Sequence, residues 1–147
     1  MQQAELERRT MRKVMWRLLP LMTLMFLINQ LDRVNISFAA LAMNRDIGLT
    51  PLSYAWGAGI FFLSYFAFEI PSNLILERVG ARIWIARIMI TWGVLSIAMA
   101  WVEGEKSFYV LLFLLGVAEA GFYPGVLVYL SQWFPASRRG RITALFM

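Results

Sequence analysis

Apolar residues in this chain gather into four long runs, at residues 18–43, 54–76, 83–102 and 108–134. At 1.5 Å of rise per residue each is long enough to cross a hydrocarbon core of ~30 Å as a helix. The pattern predicts an all-α, polytopic membrane chain with four transmembrane helices. The connectors, residues 44–53, 77–82 and 103–107, are short and carry the breakers Gly48, Pro51, Gly80 and Gly104, so neighbouring spans are expected to run antiparallel. Residues 1–17 form a basic leading segment, with Leu6, Met11, Val14 and Met15 at roughly helical spacing. It reads either as a short helix on an anionic lipid surface or as an ordinary basic flank of the first span. After Pro135 and an arginine cluster, residues 142–147 open another apolar run, the expected start of a fifth span. The sequence is therefore expected to be the first part of a longer polypeptide.

Composition agrees with the pattern: 60% of the 147 residues are hydrophobic, too many for a water-wetted surface. The first run is too long for a signal-peptide core, carries charge and lacks a small-residue cleavage site, so it is expected to stay as an anchor. The formal charge of +5 does not point to nucleic acid, because the basic residues sit beside apolar runs. One side collects Arg8, Arg9, Arg12, Lys13 and Arg17, then Arg78, Arg82 and Arg87, then Arg138, Arg139 and Arg141; the other holds Arg45 and Lys106. Basic residues favour the cytoplasmic side, so a multi-pass protein of a bacterial inner membrane with a cytoplasmic amino terminus is expected. Tryptophan agrees, with Trp16, Trp84 and Trp133 at predicted inner ends, Trp56 and Trp101 at outer ends, and Trp92 alone in mid-span.

Within the first run the only charges are the adjacent pair Asp32 and Arg33. A charge at bilayer depth costs at least ~2.5–3.5 kcal/mol, so both must face other helices or water. Neighbouring residues on a helix point about 100° apart, so each needs its own partner on another span. Glu119, the only charge of the fourth run, lies at comparable depth. Two acids and one base are expected to meet between the first and fourth helices. With no histidine and no cysteine, proton handling falls to carboxylates: desolvation favours their protonated form and a nearby arginine their ionised form. An anion bound at Arg33 would weaken that second pull and so couple anion to proton. The alternative is a buried salt bridge that only orients helices. Gly116, Gly121 and Gly125 around Glu119 read first as close helix packing, with Pro124 bending the helix. Tyr65, Tyr123 and Tyr129 present phenols to a cavity or anchor an interface. Glu69 is expected to pair with cytoplasmic arginines.

These residues resemble the major facilitator superfamily. Residues 73–82, Asn-Leu-Ile-Leu-Glu-Arg-Val-Gly-Ala-Arg, are similar to its signature between the second and third spans. Residues 31–36, 71–76 and 118–122 resemble its anion:cation symporter branch, especially bacterial tartrate and 4-hydroxyphenylacetate carriers. The resemblance runs from Arg12 onward. It implies the partial amino-terminal half of a six-plus-six-helix fold, and a secondary transporter taking up a small organic anion by proton symport with alternating access. It assigns proton coupling to Asp32 and Glu119, substrate binding to Arg33, and a cytoplasmic gate to Glu77, Arg78 and Arg82; Asn35, Tyr65 and Tyr123 are expected to join Arg33 at the substrate, and Gly80 to belong to the gate. No cofactor or metal is implied. The partners are the anion, the proton, the lipid bilayer and the remaining carboxyl-terminal part of the polypeptide. Leu112 stands where the superfamily commonly has arginine, and Gln30 where the branch often has tyrosine.

The rival reading is a self-contained four-helix protein such as a small multidrug exporter. Dual-topology dimers of that kind need weak charge bias, and the bias here is strong. A membrane-integral enzyme would need metal ligands or a nucleophile–base set, and a chain without His and Cys offers neither.

Overall fold

The computed structural model describes residues 2–46 and 48–146, with side chains at 5–6, 8–35, 48–136 and 138–146. Six helices follow one another: α1 Gln2–Asp46, α2 Pro51–Val79, α3 Ala81–Ala98 with a 3₁₀ turn Met99–Trp101, α4 Glu105–Glu119, α5 Phe122–Trp133 and α6 Ala136–Phe146. Four segments are long and apolar enough to span a bilayer: Arg8–Asn35, Pro51–Val79, Ala81–Trp101 and Glu105–Trp133. Large apolar side chains such as Phe62, Leu63, Phe66 and Ile70 on α2, and Ile83, Ile90, Val94 and Ile97 on α3, point outward. In water this would be ruinous; in lipid it is the solvated face.

The basic leading segment is no separate surface helix. It continues into the first span without a break, and Met11, Val14, Met15 and Leu19 pack against the inner core. The connectors are shorter than the apolar runs implied, because charged residues extend the helices beyond them. Glu77 and Arg78 belong to the last turn of α2 and Arg82 to the first turn of α3, leaving Gly80 between them. Gly80 donates its N–H to Leu76 O and adopts φ 94°, a region that favours glycine. At the opposite end Thr50 caps α2 by accepting from Ser53 N at 3.1 Å. The apolar run at 142–147 belongs to a helix that already begins at Ala136, with Ile142 and Phe146 buried in the core; Met147 lies outside the described residues.

The fourth span is two helices. α4 ends at Glu119, Gly121 takes the left-handed φ of 82°, and α5 restarts at Phe122. The break falls at this glycine, not at Pro124, which sits in the first turn of α5 where a missing N–H costs little. The freed carbonyl of Ala120 accepts the Ser72 hydroxyl at 2.6 Å, and Ser72 Oγ in turn accepts the Trp84 indole N–H at 2.9 Å. α2 and α3 thereby brace the interruption.

Two apolar clusters lie on either side of it. One joins α1, α2, α3, α5 and α6 around Leu76, Ile85, Ile88, Val126 and Leu130. The other joins α2, α3 and α4 around Phe61, Trp92, Phe108, Leu112 and Leu115. The closest approach is at Gly116, where a Cβ would collide with Ser64 and lie 2.5 Å from Phe61 O. Small residues here replace hydrophobic force, which lipid does not supply, with contact. Gly116→Ala is therefore expected to lower the stability of the detergent-solubilised protein by about 1–3 kcal/mol. Gly59→Ala, with nothing within 4 Å, is expected to change it little. Thermal unfolding of the two variants checks this, and equal losses would contradict the packing account.

Candidate functional site

The site forms where α1 crosses the broken span. Asn29 and Arg33 are four residues apart, hence on one face of α1, and both reach Glu119. Arg33 donates to Glu119 Oε2 through Nε at 3.1 Å and through a terminal nitrogen at 2.9 Å, and Asn29 Nδ2 donates to the same oxygen at 3.0 Å. Glu119 is fully buried, at 0% exposure, whereas the Arg33 side chain remains 35% exposed. A buried carboxylate needs such donors, since an unpaired charge in low dielectric is the costliest group a fold can hold. All three bonds fall on Oε2; Glu119 Oε1 is buried without a hydrogen-bond partner.

The open side of Arg33 meets aromatic rings. Its guanidinium carbon lies 5.6 Å from the Phe61 ring centre and 5.4 Å from that of Tyr65, within cation–π range. A cavity of about 280 Å³ opens beside it, lined by Phe26, Asn29, Gln30, Arg33, Tyr65, Phe122 and Tyr123. Such a pocket, mostly aromatic with a few convergent polar groups and one cation, suits a small anion with an apolar or flat body.

Asp32 turns away, as the 100° step along the helix requires. Its Oδ2 accepts the Trp92 indole N–H at 2.8 Å and the Ser96 hydroxyl at 2.8 Å, both from α3. Asn35 also leaves the Arg33 cavity and lines, with Asp32, a separate open groove of about 410 Å³. The expected meeting of two acids and a base between the first and fourth helices is thus divided: Glu119 meets Arg33, and Asp32 meets the third helix.

Tyr65 and Tyr123 stand at the Arg33 cavity as expected, while Tyr129 lies at the inner end against Trp133. Glu77, Arg78 and Arg82 are exposed, and among the described residues no ion pair joins them. Gly80 and Arg82 border an inner-end groove of about 670 Å³ with Tyr129, Gln132 and Trp133. Glu69 lies one turn from Tyr65, and the pairing with cytoplasmic arginines expected of it does not form among the described residues. Leu112 is buried core, packed where a Cβ at Gly57 would stand. Sequence reasoning missed Asn29, Trp92 and Ser96. The available signals were a buriable amide one turn before Arg33, and the one mid-span tryptophan with a serine four residues later.

Residues 22–147 match the model of the Major Facilitator Superfamily. The chain is 62% identical over 143 residues to a protein of Agrobacterium vitis named "Putative tartrate transporter", covering 97% of this chain and 32% of that protein. It is 56% identical over 135 residues to the metabolite transport protein NicT of Pseudomonas putida, covering 92% of this chain and 31% of that protein. A quinolone resistance transporter of Acinetobacter baumannii is 48% identical over 143 residues, covering 97% of this chain and 33% of its own length. The chain thus spans about a third of the length of the curated relatives it matches. No solved structure matches. Four membrane-spanning segments together with a family match over most of the chain make this a multi-pass membrane chain, and it belongs to the Major Facilitator Superfamily.

Proposed function

We propose that this chain carries the anion- and proton-binding residues of a secondary transporter that takes up a small organic anion, such as tartrate or an aromatic carboxylate, by proton symport. The observation that supports it is the place of Arg33: it donates to buried Glu119 Oε2 and at the same time lines an aromatic-walled cavity. A substrate carboxylate entering that cavity competes with Glu119 for the guanidinium. As Arg33 turns to the substrate, the Glu119 charge loses its counter-charge in a buried position, and protonation becomes the favoured outcome. Glu119 Oε1, which accepts no hydrogen bond, is the oxygen that takes the proton. Anion at Arg33 and proton at Glu119 then each raise the other's affinity by the same factor, as linkage requires.

The names of the relatives support a tartrate or related metabolite anion as the substrate. Alternating access needs a second half rocking against this one around a midplane site, so the account is of the full-length carrier, with the amino terminus on the cytoplasmic face of the inner membrane. Residues 77–82 act at the inner gate, and those from Val79 to Arg82 rim the groove beside Trp133. A self-contained four-helix exporter is disfavoured by the relatives' length.

Two variants of the full-length carrier test this reading by uptake of radiolabelled tartrate and of a benzoate-type acid. Arg33→Ala is expected to raise the KM for the transported anion about ten- to a hundredfold, the worth of a charge-assisted pair; an unchanged KM would reject the anion role. Glu119→Gln is expected to keep substrate exchange across the membrane while losing accumulation driven by an inward proton gradient. Full accumulation in that variant would reject the proton role.

A further inference from the structure

Asp32 is an acid at bilayer depth whose partners on α3 are neutral. Trp92 and Ser96, four residues apart and so on one face of that helix, both aim their donors at Oδ2 from 2.8 Å. Among the described residues, the charged groups near Asp32 are Arg33, its chain neighbour, and Glu119 on α4, which interacts electrostatically with it; on α2 the Tyr65 ring stands against Arg33. The arginines of α3, Arg82 and Arg87, lie more than a turn nearer the inner end than Trp92. Trp92 itself is 4% exposed within the α2–α3–α4 core, so its N–H is fixed in place by packing. Asp32 also borders an open groove that it shares with Asn35, Ile28, Leu31 and Val34.

Among the described residues 31–35, the apolar side chains Leu31 and Val34 are 66% and 51% exposed. Within this stretch the contacts shown to the bundle are polar: Arg33 to α4 and Asp32 to α3. Both bonds depend on a carboxylate that a proton can neutralise.

We propose that Trp92 and Ser96 are positioning residues of the proton step, holding Asp32 as a carboxylate against α3 until it takes a proton and frees that part of α1. The proposal rests on the reading of Asp32 as a proton-coupling acid. Hydrogen bonds to a charged form favour that form. Removing a donor weakens the hold on the ionised carboxylate, and the pH of half-maximal uptake is expected to rise.

The test is the pH profile of proton-driven tartrate or benzoate uptake by the full-length carrier bearing Trp92→Phe, Ser96→Ala, Ser96→Thr or Asp32→Asn. Trp92→Phe and Ser96→Ala are each expected to move the midpoint up by about one pH unit. Ser96→Thr, which keeps the hydroxyl, is expected to retain the wild-type midpoint. A midpoint unmoved in both Trp92→Phe and Ser96→Ala, or a rate lowered equally at every pH, overturns the positioning role. Asp32→Asn addresses the underlying reading separately: loss of proton-driven accumulation supports it, and wild-type accumulation overturns the proton role of Asp32 whatever the other variants do.

Discussion

Burying a carboxylate at the middle of a membrane is the constraint around which this structure is arranged. Glu119 is fully enclosed, and three donors from α1 converge on one of its oxygens. The depth at which α1 can cross, the face it presents and the packing of α4 against α2 follow from delivering Arg33 and Asn29 to that point. The chain spends local regularity to do so. The fourth span is interrupted immediately after Glu119, at a left-handed glycine, and the exposed carbonyl is capped by a hydroxyl from α2 that an indole from α3 holds in place. Backbone can leave the helical path at this depth only where protein supplies the missing hydrogen bonds.

The polar layer lies between two apolar clusters that are packed on different principles. The one around Leu76 and Val126 is built from aliphatics, phenylalanine and a methionine contributed by five helices. The other brings α2 and α4 together through Gly57 and Gly116, with Phe108 and Leu112 filling the space. Neither cluster needs charge, and the charges collect between them. Each acid faces a different helix, so that α1 is tied by Arg33 to α4 and by Asp32 to α3.

Much of this was legible in the sequence, for physical reasons. Unbroken apolar runs have to be spans, so the four segments and their order followed from length alone. Arg33 and Glu119 were the only opposite charges at matching depth on the first and fourth runs, and bilayer electrostatics left them little choice but to meet. The 100° step between Asp32 and Arg33 required separate partners, and the structure supplies them. Sequence could not say which helix would receive Asp32, because Trp92 and Ser96 are neutral and carry no charge that would mark them as its partners until α3 is placed. It also put the bend of the fourth span at Pro124. Proline marks a kink in a helix interior, but at the start of a helix it is tolerated, and only the fold reveals that a new helix begins at Phe122. The charged stretch at residues 77–82 read as a turn, yet helix continues to Val79 because a single glycine with positive φ suffices to reverse the chain.

The central claim is that anion binding at Arg33 and protonation of Glu119 are one linked event. The most direct test is the proton balance of binding itself, measured in weakly buffered solution with a pH indicator as tartrate or a benzoate-type acid is added to the purified full-length carrier. The account expects uptake of about one proton per anion bound, falling away at low pH where Glu119 already carries it. Saturable anion binding with no proton uptake at any pH would contradict it.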